Sequence, residues 1–470
     1  MIPILPNGGR SAACRPSLWL GLALLLAVGV VPASTDQEVP DGLPVGPVLF
    51  TPWFQTEVLA DDNIFRRSEN GSPGPEADVA TTLRGGVAAS IPIRMSNLEI
   101  GYEGSTFSYR DTDFSGTETH TGFVVFDLNF SSHNTLHIEE TYTRGVTELL
   151  RFSSDIDSEG NIVLSQEIIR QGVPFAHNVW AVEWLREVAR RPAWRARIER
   201  SDLRYRPDEL PLVDGETQAI PWLDHEGWEV EYEYVQPIYR RGGLTAKYNA
   251  RRQDQFEPVS NLNSPVPGSV LLRREVYDGL EVGYRGLISR RQPLVVSLGY
   301  GKLAFRDVQV GDEPSNYRGL VGRIHWGLPI GGLSNMAITL DRRPLSSIFN
   351  TYYIINEVRV RFDRRFRGVS RWGVNLLASS NGYGDIVKES VTGGFTLDCI
   401  DPAAPVAPGA DPVLIVRHDR GQRVEGFWEW FIQPRITLRM AATHNRRNSN
   451  CDQLSFRSNG LSMTFKVGWF

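Results

Sequence analysis

From Val48 to the C-terminus the chain runs in short segments whose apolar and polar residues alternate, the period of 2 that sends successive side chains to opposite faces of a sheet. In the segment 227–234, Trp228, Val230, Tyr232 and Tyr234 share one face, and Glu229, Glu231 and Glu233 share the other. Trp194, Ala196 and Ile198 oppose Arg195, Arg197 and Glu199, and Leu244, Ala246, Tyr248 and Ala250 oppose Lys247, Asn249 and Arg251. Val358, Val360 and Phe362 oppose Glu357, Arg359 and Arg361 in the same way. Trp428, Trp430 and Ile432 oppose Glu425 and Glu429, and Ile436, Leu438 and Met440 oppose Arg435 and Arg439.

One such strand fits a soluble sandwich, but the repetition does not. A charged side chain in a dry core costs several kcal/mol unless paired, and here nearly every strand brings one. A water-filled lumen removes that cost and leaves the apolar faces to lipid. The sheet must then close, because hydrocarbon offers no partner to an open edge. The predicted fold is all-β: a transmembrane antiparallel barrel of about eighteen strands, running from 48–59 to 457–469. Connection lengths alternate as well. Short links (94–97, 131–134, 239–243, 331–335) separate long ones (61–78, 149–176, 207–224, 381–422), matching short periplasmic turns and long extracellular loops. Trp180, Trp184, Trp194, Trp228, Tyr284, Trp326, Trp428 and Trp430 fit aromatic girdles at the membrane interfaces, or else ordinary packing.

Composition alone would hide this architecture. The chain is 41% hydrophobic with a mean hydropathy of -0.26, and past residue 33 no stretch reaches the ~18 apolar residues of a spanning helix. Residues 1–33 carry Arg10 and Arg15, the apolar run Leu18 to Val31, and then small Ala33 and Ser34. They read as a signal peptide cleaved after Ala33, with an uncleaved anchor as the alternative. Residues 34–47 form a short periplasmic lead, and 48–470 the barrel. In an oxidising compartment Cys399 and Cys451, both in outer loops, either close a disulfide or stand as separate thiols. A net charge of -5 and a pI of about 6.0 exclude a nucleic-acid partner.

The lumen-lining candidates are Arg195, Arg197, Glu229, Glu231, Glu233, Lys247, Arg251, Arg323, Glu357, Arg359, Arg361, Glu425, Glu429, Arg435 and Arg439. Their signs balance and alternate between neighbouring strands. That pattern makes either a salt-bridged wall or a polar track whose arginine forks could hold carboxylates of an acidic polymer. Catalysis is not expected, because the histidines are scattered and no G-x-S-x-G elbow is present. No cofactor is expected, and no closely spaced His/Cys cluster points to a metal.

The segment from Thr51 to Phe65, TPWFQTEVLADDNIF, precedes an acidic polar loop and the strand LRGGVAASIPI. This opening resembles that of a porin-like family of outer-membrane β-barrels found in exopolysaccharide and exosortase gene settings. Asp61, Asp62, Asn63, Ile64 and Phe65 carry the specific likeness. The resemblance implies an outer-membrane pore serving as the exit for a secreted polysaccharide. It also implies outer-membrane lipid, the barrel assembly machinery and periplasmic polysaccharide-export components as partners. General small-solute diffusion and a non-conducting structural or adhesive barrel are the alternatives. The Asp-Asp-Asn group reads either as a solvated strand end and turn or as a calcium or sugar site. The C-terminal strand resembles a barrel assembly signal, with Leu461, Met463, Phe465, Val467 and Trp469 alternating and Phe470 one residue out of register.

Overall fold

The computed structural model describes residues 42–64, 68, 74–111, 117–146, 154–156, 162–164, 174–187, 191–205, 224–239, 241–258, 269–289, 291–306, 316–346, 352–384, 416–451 and 455–468. The signal segment, Arg190, Cys399, Trp469 and Phe470 fall outside them. Among the described residues no helix is long and apolar enough to cross a membrane.

The strands are β1 (Leu43–Val45), β2 (Val48–Asp61), β3 (Asp78–Ile93), β4 (Ser96–Tyr109), β5 (Thr117–Ser131), β6 (Asn134–Val146), β7 (Ser154–Ile156), β8 (Ile162–Leu164), β9 (Pro174–Arg186), β10 (Ala193–Tyr205) and β11 (Asp224–Tyr239). They continue as β12 (Gly242–Pro258), β13 (Ser269–Leu287), β14 (Pro293–Arg306), β15 (Tyr317–Ile330), β16 (Ser334–Ser346), β17 (Tyr352–Phe366), β18 (Ser370–Tyr383), β19 (His418–Gln433), β20 (Ile436–Ser449) and β21 (Phe456–Gly468). Setting aside β1 and the small β7–β8 hairpin, the rest make one closed antiparallel barrel of eighteen strands. Each strand pairs with the next, β6 with β9, and β2 closes the ring on β21 from Trp53↔Gly468 to Asp61↔Gly460.

Among the described residues β21 pairs with β2 only from Trp53 onward. The chain covers part of the edge before Trp53 with its own start. Leu43, Pro44 and Val45 turn at Gly46 (φ 61°) and pair with Phe50, Leu49 and Val48. The short lead over 34–47 thus contains a strand, because exposed ladder groups need partners. At the short-turn end the chain reverses at Arg94 (φ 57°) and at Arg367 and Gly368 (φ 48° and 72°). The two arginines accept a left-handed conformation that costs a non-glycine residue roughly 1–2 kcal/mol.

The two faces of the wall differ as the alternation requires. Leu280, Val282, Leu298, Tyr300, Leu320 and Leu461 are more than half exposed on the outside. In a closed sheet such a surface is satisfied by hydrocarbon, so the barrel is built to span a membrane. Trp194 and Tyr234 stack edge to face toward the short turns, and Trp180 and Trp228 do so toward the loops, marking the two interfaces. The inner face is not polar throughout. At the loop end Leu303, Phe305, Tyr317 and Val321 bury one another against Tyr277, and Tyr353, Ile355 and Tyr383 form a second cluster. Apolar residues fit there because they meet each other rather than open lumen water.

Candidate functional site

The lumen wall follows from strand register. Residues opposite the lipid-facing set point inward, and ladder pairing decides which of them meet. Along β9–β14 the inward charges are largely of one sign per strand, so their partners lie across the ladder. Arg195 on β10 donates to Glu183 on β9 (2.8 Å) and to Glu231 on β11 (3.2 Å). Glu231 also accepts Lys247 of β12 at 2.7 Å. Arg251 on β12 reaches Glu275 of β13, whose side chain is fully buried, and Arg285 on β13 reaches back to Glu233 at 3.3 Å. Asn249 donates to Glu229 (2.7 Å) and Ser297 to Glu281 (2.6 Å). Arg197 is shared between Glu183 and, along its own strand, Glu199 at 2.7 Å.

On β16, β17 and β19 the inward charges of one strand are of both signs, and several pairs span two residues of one strand. Arg343 meets Asp341 (3.3 Å), Arg359 meets Glu357 (2.6 Å), Arg361 meets Asp363 (3.8 Å) and Arg423 meets Glu425 (3.2 Å). Cross-strand bonds are fewer here. Arg371 pairs with Glu429 at 2.6 Å, and Arg439 donates to Glu425 while its guanidinium lies 4.4 Å from the Phe427 ring centroid. Arg323 stands opposite Asp341 in the ladder. Arg435 sits in the turn between β19 and β20 rather than on a strand, where its carbonyl accepts Gly468 N–H.

Three groupings were not legible as groupings in the sequence. At the rim of β18–β20, Asp419 is fully buried and receives Arg417 and Arg447 at 2.6 Å and the Tyr383 hydroxyl at 3.1 Å. At the seam, Asn63 N–H donates to Asp61 in a local turn, while the Asn63 amide reaches the Arg457 carbonyl (both 2.9 Å). Ser458 donates to Asp61 at 3.2 Å, and Asn459 donates to Asp62 from backbone and side chain at 2.6 Å each. The Asp-Asp-Asn group is therefore a turn, solvated only at Asp62: Asp61 and Asn63 are 4% and 1% exposed because the closing strand covers them. Among the described residues no group of three or more His, Cys, Asp or Glu is placed to hold a metal ion. The third grouping is His177 Nε2, 2.9 Å from Ser201 Oγ across β9 and β10, a pair hidden by 24 residues of separation.

His137 bonds Asp127 at 2.7 Å and His325 bonds Thr339 at 2.9 Å on the inner face. Cys451, just past β20, is disulfide-bonded and 6% exposed.

No protein-family model matches the chain, and no curated protein matches it. Among solved structures the barrel is similar to the alcaligin outer-membrane receptor FauA of Bordetella pertussis, at 8% identity and TM-score 0.45, covering 88% of this chain and 75% of that one. It is similar to the siderophore receptor PirA of Acinetobacter baumannii at 7% identity and TM-score 0.46, covering 89% and 80%. The outer membrane protein OpdK of Pseudomonas aeruginosa gives 12% identity and TM-score 0.42, covering 89% and 99%.

Proposed function

We propose that this outer-membrane barrel is a pore for a polar solute, and that its cargo is a secreted polysaccharide leaving the cell. The observation that carries the reading is the inner wall, where carboxylates, guanidinium groups, amides and hydroxyls alternate over β9–β14 and β16–β20. Such a surface exchanges hydrogen bonds with a hydrated, uncharged or weakly acidic chain at little cost, and its balanced signs hold no ion tightly. The likeness of Thr51 to Phe65 to barrels from exopolysaccharide gene settings supports the choice of cargo. In this reading the chain works with the assembly machinery and with periplasmic export components, without cofactor or catalysis, and Cys451 pairs with Cys399. Deleting the gene and assaying surface polysaccharide tests it: loss of export with retained small-solute permeability is expected. Normal export with altered permeability would instead make the barrel a general porin, and discrete openings in a planar bilayer separate either pore from a closed structural barrel.

One observation favours a rival. The His177–Ser201 contact is the geometry of a base beside a nucleophile, so hydrolysis of an ester cargo is the second reading. Ser201→Ala would abolish such an activity and leave conductance unchanged.

A further inference from the structure

The outward face of the barrel carries charge in two ways at its loop end. On β10–β13 each arginine is answered by a carboxylate: Arg200 by Glu226 (2.6 Å), Arg204 by Asp202 (2.7 Å), and Arg252 and Arg274 by Asp254 (3.1 and 2.7 Å). On β14–β21 the outward register contains no Asp or Glu at all among the described residues. Yet Lys302, Arg306, Arg318, Arg342, Arg420, Arg446 and Arg457 all sit there, exposed, just beyond the lipid-facing band.

The arrangement is unfavourable for an unoccupied surface. Lys302 is directly opposite Arg318, and Arg446 is directly opposite Arg457. Like charges opposed across a ladder destabilise it, so the belt is built for an anion that the protein does not supply. The wall also opens at the belt, on the loop side of Arg342. The β15–β16 ladder begins only at Gly322↔Arg342, leaving Tyr317 to Val321 unpaired with β16. Pro344, with no backbone N–H to offer, follows two residues later, and Arg342 Nε bridges the split by donating to the Leu320 carbonyl at 3.1 Å.

At this level lies a groove of about 770 Å³ on the lipid side. Leu298, Ile324, Leu340, Val358 and Ala378 form its apolar floor, and Arg342 and Arg420 stand at its upper margin. Between those arginines the same row holds Asn356 and Ser380, small polar residues that keep the shelf shallow. Three interstrand steps of ~4.8 Å put the two arginine backbones about 14 Å apart, a span that two long side chains can close on a phosphorylated sugar head.

We propose that this face binds a phosphate-bearing glycolipid of the outer leaflet, its phosphates held by Arg342 and Arg420 with the Lys302–Arg318 pair beside them, and an acyl chain lying in the groove. The apolar floor requires a lipid and the uncompensated cations require an anionic head, which together select a phosphorylated lipid over a neutral one.

The test is native mass spectrometry of the folded full-length barrel in detergent micelles, with diphosphoryl hexa-acyl lipid A and its fully dephosphorylated form as probes. The wild type is expected to retain the diphosphoryl lipid at least tenfold more strongly than the dephosphorylated one. Arg342→Gln with Arg420→Gln should lose that preference, and Arg252→Gln, on the compensated side, should keep it. Heat-modifiable gel mobility checks folding. Lys302→Gln with Arg318→Gln provides a second variant that relieves repulsion and should fold at least as well while binding several-fold more weakly. Equal retention of the two lipids by the wild type, or an undiminished preference in both double variants, overturns the proposal. Conductance and export do not enter this readout, so its failure leaves the pore reading standing.

Discussion

The two charged walls of the lumen use the same residue types to opposite structural ends. On β9–β13 a strand tends to carry one sign, so Glu231 is shared by Arg195 and Lys247 and binds three strands together. On β16, β17 and β19 a strand carries both signs, so Glu357 and Arg359 or Arg423 and Glu425 neutralise each other along one chain segment. The first arrangement stakes strand register on electrostatics. The second leaves register to the backbone ladder and to the outward apolar face.

This contrast is open to direct attack. Glu231→Ala strips two cations of a common partner at a site 14% exposed and should lower unfolding stability in urea by ~2 kcal/mol, read by tryptophan fluorescence in lipid vesicles. A loss no larger than that of Glu357→Gln would remove the distinction. Exchanging partners sharpens it further. Glu231→Lys with Lys247→Glu restores one bridge but sets a lysine against Arg195, and should cost ~1 kcal/mol by the same assay. Glu357→Arg with Arg359→Glu keeps its pair and places an arginine opposite Asp341, so no loss is expected. Ion preference gives a third comparison. Glu231→Gln with Glu233→Gln should move the bilayer reversal potential toward anions, whereas the 357/359 exchange, which preserves net charge, should leave it in place. The smallest effect belongs to Arg361→Gln. Its contact with Asp363 is 3.8 Å long and the arginine is 53% exposed, so the midpoint should shift by no more than ~0.5 kcal/mol.

Much of this was legible in the sequence, and the omissions share a cause. The barrel, its strand number and the inward position of residues such as Glu229, Arg251 and Arg439 follow from alternation, which every membrane-embedded strand must obey. Strand ends beyond the membrane do not obey it. β12 runs to Pro258, β13 begins at Ser269 and β19 at His418, beyond the alternating stretches, because a ladder needs backbone groups and not apolar side chains. The three residues of β1 are too few to show a period. Register hid the rest: His177 with Ser201, Asp419 with Arg447, and Asp61 with Ser458 meet only after strands pair, and no local pattern announces partners so far apart. The sign pattern within a strand, however, was present all along, and once the strands are known it predicts which wall pairs across and which pairs along.

The seam ties together residues 397 positions apart. Joining the ends of so long a loop costs about 5 kcal/mol in chain entropy, which a ladder of nine or so residues must more than offset. Asp61, Asp62 and Asn63 are synthesised 394 to 397 residues before the groups that meet them, Ser458 Oγ, the Asn459 amide and Arg457 O. A prematurely ended chain would hold the first half of this clasp and never the second. Its opening strand would lack the partners that β21 brings to Asp61, Asp62 and Asn63, so the clasp reports whether the closing strand is in place.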